Sequence, residues 1–131
     1  MERPDLIIVD DDKFMGKVFS SMLKDHKLNY TFFSDPELAL AAILEHRPKC
    51  VLIDFNMPVL NGQDLIVKLS ENHIFQHSSI YLITADSLTQ MDKVRMMTLG
   101  FEKIIDKNSL QKDTFLDALS EVLGEVEKKA S

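Results

Sequence analysis

The chain has 131 residues, 45% of them hydrophobic, which is enough for a single domain with a buried core. Its formal net charge of −6 argues against a nucleic-acid partner, because surfaces that bind nucleic acid are normally basic. No apolar run approaches the roughly 20 residues of a membrane span. Residues 1–5 also lack the apolar core of a signal peptide, so we expect a cytoplasmic protein with no membrane partner.

Five short apolar runs predict five β-strands, which begin near residues 6, 28, 51, 80 and 103. The segments between the runs carry the apolar period of helices, and this alternation is typical of a parallel α/β sheet. The first, third and fourth runs are apolar at nearly every position, as in strands covered on both faces, whereas the second and fifth suit the two edges. The sequence therefore predicts a doubly wound five-stranded parallel sheet with five helices. Cys50, the single cysteine, begins the third run and is expected to be a buried, inert thiol.

Capping signals divide the intervening segments into helices. We expect helices to begin near Lys13, at Asp35-Pro36 with proline in the first turn, after Asn61-Gly62, at Ser87 and near Ser109. Ser87 is followed three residues later by Gln90, which is the pattern of a capping box, and Gly100 is placed to end that helix. We assign residues 1–124 to the domain and residues 125–131 to a polar tail or the start of a linker.

Polar side chains follow four of the predicted strands. They are Asp10, Asp11 and Asp12 after the first strand, Asp54 after the third, Thr84 after the fourth and Lys107 after the fifth. Doubly wound sheets bind their ligands beyond the carboxyl ends of the strands, so we expect these groups to converge. Several carboxylates, a hydroxyl and an ammonium at one edge describe a site for a metal ion and a phosphoryl group.

The three consecutive aspartates allow two interpretations. Alone, Asp10, Asp11 and Asp12 are typical of a solvated turn that caps a helix. Clustered carboxylates repel one another, however, and a hard cation such as Mg²⁺ relieves the repulsion through oxygen ligands. Asp54 on a neighbouring strand favours the metal site, and a carboxylate beside Mg²⁺ can attack phosphorus to form an aspartyl phosphate. Lys107 would then neutralise charge on the transferred oxygens.

These residues resemble the receiver domains of two-component response regulators, the group that includes the chemotaxis receivers. The matching segments are Val9-Asp10-Asp11, Leu52-Ile53-Asp54 with Met57-Pro58 and Asn61-Gly62, Thr84-Ala85, and Lys107. The resemblance extends from about Leu6 to Leu123. It implies a flavodoxin-like sheet with strand order 2-1-3-4-5.

The resemblance also implies roles for the site residues. Asp54 would accept a phosphoryl group from a phosphohistidine on a partner histidine kinase or histidine phosphotransfer protein. Asp11 and Asp54 would bind Mg²⁺ through carboxylates and Asn56 through its backbone carbonyl, and Asp10 would support the metal through water. Asp12 would serve the loop or the start of the helix.

The remaining implied roles concern the phosphoryl group itself. Thr84 and Lys107 would contact its oxygens. Asn56 and Asp86 flank the site and would orient a water for hydrolysis, giving a short-lived phosphorylated state. The chain would then be no enzyme, apart from catalysing its own phosphorylation and dephosphorylation.

Two positions depart from the pattern of the receivers. The family usually has proline after the lysine, in a bond that is commonly cis, where this chain has Asn108. A cis bond costs a non-proline residue about 3–4 kcal/mol, so we expect a trans Lys107–Asn108 bond and an altered loop before the fifth helix. In many receivers an aromatic residue three positions before the lysine turns inward, which Ile104 cannot do. We therefore expect output through the loop after Thr84 and the fourth helix.

The predicted fourth helix is more apolar than one buried stripe requires. Its apolar residues are Leu88, Met91, Val94, Met96, Met97 and Leu99. Core packing with some chance exposure is one explanation. The other is an adaptable docking face, completed by the fifth strand and fifth helix, for a second copy of the chain or an unknown downstream protein.

Other functions fit parts of the pattern. A phosphohydrolase with an aspartate nucleophile would use Asp54, but such enzymes take a second aspartate two residues on as acid and base, and Asn56 cannot act so. A phosphorylation-independent interaction module is disfavoured by the intact Asp54 and Lys107. A flavodoxin-type nucleotide-binding domain would want a glycine-rich loop after the first strand, and the four glycines of the chain are not clustered.

Overall fold

The computed structural model describes residues 3–130, which contain a five-stranded parallel sheet. The strands are β1 (Leu6–Val9), β2 (Tyr30–Phe33), β3 (Cys50–Asp54), β4 (Ser79–Thr84) and β5 (Lys103–Asp106). Their order across the sheet is β2-β1-β3-β4-β5, and each pairing is parallel. The flavodoxin-like fold and the strand order expected from the sequence are confirmed.

Five α-helices connect and follow the strands. They are α1 (Lys13–Leu23), α2 (Pro36–His46), α3 (Gly62–Glu71), α4 (Gln90–Leu99) and α5 (Lys112–Leu123), with short 3-10 turns at Ile74–Gln76 and Lys107–Ser109. Within the described residues, no helix combines the length and apolar character needed to cross a membrane.

The helices cover both faces of the sheet. Buried residues of α2, α3 and α4 form one apolar cluster, and those of α1 and α5 form a second. Successive side chains of a strand point to opposite faces, so that Ile7 enters the first cluster and Ile8 the second. β1 and β3 are buried throughout and β4 at five of six positions, whereas β2 and β5 are partly exposed edges. Cys50 is buried as expected, and burial raises the pKa of its thiol to about 12.

The first three helices begin at the predicted caps. Asp12, Asp35 and Asn61 each accept a hydrogen bond from a backbone N–H two or three residues on, at 2.8–3.0 Å. Asp12 is thus a cap of α1, which is the role expected for it. Gly100 ends α4 at a φ of 120°, a conformation that favours glycine.

The predicted starts of the last two helices are wrong. Thr89, not Ser87, caps α4, in a capping box where Thr89 Oγ1 and the Asp92 carboxylate each accept the other residue's N–H at 3.1 Å. α5 begins at Lys112 rather than near Ser109, because Asp106 first caps the 3-10 turn.

The residues beyond α5 turn back against the loop between α1 and β2. The backbone N–H of Lys27 donates to Glu127 O, and that of Lys129 donates to Asp25 O, both at 2.7 Å. Between them, His26 and Lys128 form an antiparallel bridge. His26 is 3% exposed. The boundary at residue 124 stays a prediction, and residues 1, 2 and 131 of the predicted terminal segments lie outside the described residues.

Candidate functional site

The carboxyl ends of β1, β3, β4 and β5 meet at one edge of the sheet. The register pairs Val9 with Ile53, Asp54 with Ile83, and Thr84 with Asp106, so neighbouring strands end nearly level. Four of the residues singled out in the sequence are brought together there: Asp10, Asp11, Asp54 and Lys107. The parallel register thus turns four separate segments into one cluster of charge.

Three carboxylates form the acidic part of the cluster. Asp10, Asp11 and Asp54 each offer one oxygen, and these oxygens lie within 4.8 Å of one another. Asp10 and Asp54 are 0% and 5% exposed, whereas Asp11 is exposed. Asp10 Oδ1 is held by the N–H of Asp12 at 3.0 Å. Buried carboxylates this close are unfavourable without a balancing cation.

Lys107 supplies positive charge to the cluster. Its Nζ lies 2.8 Å from Asp10 Oδ2 and 3.4 Å from Asp54 Oδ1, and its side chain is largely buried. Burial alone lowers the pKa of Lys107, but its contacts with Asp10 and Asp54 outweigh burial and raise the pKa above its ordinary value. Lys107 is therefore a fixed cation between two carboxylates.

The charge of Lys107 does not fully offset the carboxylates. Burial, and then the charge of Asp10, raise the pKa of Asp54 to about 7, although Lys107 acts in the opposite direction. The cluster itself holds three carboxylates against the one ammonium of Lys107, which leaves it short of positive charge. An all-oxygen donor set with a deficit of positive charge fits a hard divalent cation such as Mg²⁺.

Hydrogen bonds link the loops around the cluster. Asn56, two residues past Asp54, donates its side-chain amide to the Asp86 carboxylate. The N–H of Asp86 donates to Thr84 Oγ1 at 3.0 Å, so the hydroxyl of the buried Thr84 is engaged within its own loop. Asp86 therefore links Asn56 in the loop after β3 to Thr84 at the end of β4, and the sequence did not predict these hydrogen bonds.

The loop after β5 contains the trans bond expected at Asn108, whereas the expected difference in loop shape stays a prediction. The described backbone contains no cis peptide bond, so Lys107–Asn108 is trans as predicted. The Asn108 N–H donates to Asp106 Oδ1 at 2.9 Å, and its side-chain amide donates to the Ala85 carbonyl at 2.8 Å. Ile104, partly buried, packs against the apolar cluster under α4 and lines a cavity of about 390 Å³ beside this loop.

Gly62 lies next to the site, whereas the sequence marked it only as part of a helix start and of a segment that matches the receivers. A Cβ at this position would lie 2.8 Å from the backbone oxygen of Asp54 and 3.1 Å from Phe55 Cα. The Gly62 N–H donates to the Phe55 carbonyl at 2.9 Å. The start of α3 therefore packs against the backbone of Asp54 with no room for a side chain. The sequence offered one sign of this contact, which is glycine, a poor helix former, at the first position of a helix.

Comparison with known proteins identifies the family of the chain. Residues 6–120 match the response regulator receiver domain family, and the chain belongs to this family. It is 29% identical over 103 residues to the probable transcriptional regulatory protein TcrX of Mycobacterium tuberculosis, a match that covers 78% of this chain and 42% of TcrX. The chain spans less than half the length of TcrX and of other curated relatives that it matches.

Solved structures show the same fold. The chain is similar to the chemotaxis protein CheY4 of Vibrio cholerae, with a TM-score of 0.81, 21% identity, and coverage of 92% of this chain and 99% of that one. It is also similar to the receiver domain of the sensor histidine kinase PA1611 of Pseudomonas aeruginosa PAO1, with a TM-score of 0.80, 20% identity, and coverage of 95% and 100%. At such identities the likeness concerns the fold alone.

Proposed function

We propose that this receiver domain accepts a phosphoryl group on Asp54 from the phosphohistidine of a histidine kinase or a histidine phosphotransfer protein. The observation that carries the proposal is the position of Lys107 Nζ, 2.8 Å from Asp10 and 3.4 Å from Asp54, at the edge where the carboxylates gather. A lysine fixed between buried carboxylates is suited to an incoming group that carries several negative oxygens.

The transfer itself needs little covalent chemistry from the protein. A carboxylate oxygen of Asp54 forms a bond to phosphorus, while the bond from phosphorus to the donor imidazole nitrogen breaks and the imidazole leaves with the electron pair. Lys107 neutralises charge on the transferred oxygens, and Thr84 contacts one of them after its loop has moved. Positioning and charge neutralisation are the main contributions expected in phosphoryl transfer.

Mg²⁺ is the cofactor that the donor set fits. The carboxylates of Asp11 and Asp54 and the backbone carbonyl of Asn56 would hold it, with Asp10 acting through water. Bound there, the ion would neutralise charge on the carboxylates and on the phosphoryl oxygens. The receiver domain of PA1611 was solved with a magnesium ion coordinated in its active-site cleft, which supports the same assignment here.

Output is proposed to use the exposed side of α4. Met91, Val94 and Met97 recur every three residues on this helix and are 72%, 54% and 48% exposed. Their spacing places them along one side of the helix. Together with β5 and α5 this surface suits a downstream protein or a second copy of the chain. The loop after Thr84 joins α4 to β4, the strand that pairs with β3 at Asp54.

One labelling experiment tests the phosphoacceptor function. The protein is incubated with Mg²⁺ and acetyl phosphate, and Asp54→Asn serves as the matched control. We expect about one phosphoryl group per chain, stable to acid, released by hydroxylamine and absent from Asp54→Asn. Steady turnover of many phosphoesters would favour a phosphohydrolase, and no labelling under any donor would favour an interaction module that works without phosphorylation.

The same labelled protein tests the role proposed for Asn56 and Asp86. Because their side chains are hydrogen-bonded to each other beside Asp54, we propose that they orient the water that removes the phosphoryl group. The phosphorylated state should then be short-lived. A label that remains for many hours on the unmodified chain would contradict this role.

A further inference from the structure

Asn108 ties the loop that carries Lys107 to the loop that follows Thr84. Its side-chain amide donates to the Ala85 carbonyl at 2.8 Å, and its backbone N–H donates to Asp106 Oδ1 at 2.9 Å. Proline has neither an N–H nor an amide and would make neither bond. Asparagine at this position therefore adds a link between two loops that proline cannot provide.

Besides this link, the loop is held by hydrogen bonds from the Asn56 amide to the Asp86 carboxylate and from the Asp86 N–H to Thr84 Oγ1. Ala85, Asp86 and Ser87 are exposed, and they border the open cavity of about 390 Å³ that Ile104 lines from the other side. Segments with few buried contacts and exposed hydrogen bonds are the ones that move at low free-energy cost. Each of these few hydrogen bonds therefore affects the position of the loop, and the cavity offers room for its movement.

We propose that Asn108 is a positioning residue that holds the loop after Thr84 in the place it takes before phosphorylation. The inference rests on the proposed phosphorylation of Asp54. Thr84 Oγ1 accepts the N–H of Asp86 within its own loop, and this hydroxyl must turn toward the phosphoryl group to contact it. Contact between Thr84 and the phosphoryl group needs the loop movement proposed above, and that movement would break the bond from Asn108 to the Ala85 carbonyl. The bond from Asn108 to Ala85 therefore stabilises the unphosphorylated state and makes phosphorylation less favourable.

The test measures the affinity for beryllofluoride, which imitates a phosphoryl group on a carboxylate, by NMR titration in excess Mg²⁺. Asn108→Ala removes the link, and Asn108→Leu removes it at similar side-chain size. Both variants keep the backbone N–H that Asp106 accepts. We expect both to bind beryllofluoride about fivefold more tightly than the unmodified chain, which is the effect of losing one ordinary hydrogen bond in the unbound state.

A matched control removes an equivalent bond elsewhere. Asn72 donates its amide to the Lys68 carbonyl at 2.9 Å at the end of α3, away from both loops. Asn72→Ala should leave the beryllofluoride affinity within about twofold. A second readout uses the protein without metal or fluoride. There the amide hydrogen of Asp86, which donates to Thr84 Oγ1, should exchange about fivefold faster in Asn108→Ala, because the link that restrains its loop is gone.

The outcomes separate the inference from the function on which it rests. Tighter binding by both Asn108 variants, with faster exchange in Asn108→Ala, supports the inference. Any other result for the two variants, when the unmodified chain binds beryllofluoride and Asp54→Asn does not, overturns the inference and leaves the phosphoacceptor function standing. If the unmodified chain does not bind beryllofluoride in the presence of Mg²⁺, the proposed function fails and the inference fails with it.

Discussion

Raising the pH should destabilise the metal-free protein through Asp54. Burial and the charge of Asp10 raise the pKa of this carboxyl group from an ordinary 3.8 to about 7 in the folded chain. The folded protein therefore keeps a proton that the unfolded chain releases at lower pH. The stability linked to this group is complete below about pH 4 and is lost as the pH rises through about 7.

The size of the effect follows from the same two values. The difference between 3.8 and about 7 corresponds to a ceiling of ~4 kcal/mol in the free energy of unfolding. Asp54 shares its environment with the exposed Asp11 and the partly exposed Lys107, and water at the site weakens their interaction. We therefore expect a loss of about 1–2 kcal/mol between about pH 5 and about pH 8, measured relative to Asp54→Asn.

Urea unfolding followed by circular dichroism, in the presence of EDTA, measures this loss. Asp54→Asn keeps the size of the side chain and cannot ionise, so its stability should change less over the same range. Mg²⁺ added at about pH 8 should stabilise the unmodified chain more than the variant, since the ion favours the ionised carboxylate. Parallel pH profiles for the two proteins would refute the reasoning, because they would show that Asp54 titrates alike in the folded and unfolded chains.

Three further substitutions probe the site and its supports. Gly62→Ala places a methyl group 2.8 Å from the backbone oxygen of Asp54 and should lower the free energy of unfolding in urea by about 1–3 kcal/mol. An unchanged stability would mean that the start of α3 is not in close contact with Asp54. Lys107→Ala should slow labelling by acetyl phosphate about 100-fold at saturating Mg²⁺, with Lys68→Ala as an exposed control, and equal rates for the two would remove Lys107 from the proposed chemistry. Thr89→Ala removes the cap of α4 and should lower the free energy of unfolding by about 1 kcal/mol in a thermal experiment. Ser87→Ala should lower it by less than about 0.5 kcal/mol, and the reverse order would contradict the observed cap.

The sheet and its polar edge were predictable because their signals are local. Continuous apolar runs mark strands that are covered on both faces, and the polar residue that ends each run marks the carboxyl edge of the sheet. The start of α4 was not predictable in the same way. Ser87 with Gln90 and Thr89 with Asp92 both satisfy the capping-box spacing, and only the folded chain distinguishes them.

Within the site, the sequence identified the charged groups but not their contacts. It placed Asp54 at the centre, yet Lys107 Nζ lies closer to Asp10, at 2.8 Å, than to Asp54, at 3.4 Å. It marked Asn108 as unusual but did not predict that its amide reaches Ala85, 23 residues earlier. Such contacts depend on how two loops approach each other, and no spacing within either loop encodes that distance.

The pairing of the residues after α5 with the loop before β2 bears on how the chain can be shortened. The end of α5 at Leu123 looks like a safe place to cut, because the residues beyond it are polar and mostly exposed. Cutting there would remove both backbone hydrogen bonds to the loop before β2 and uncover His26, whose Nδ1 has no hydrogen-bond partner among the described residues. In a chain that ends at Leu123, the imidazole of His26 would be exposed to solvent beside α1. A difference in stability between the truncated and full-length chains would include the effect of this exposure.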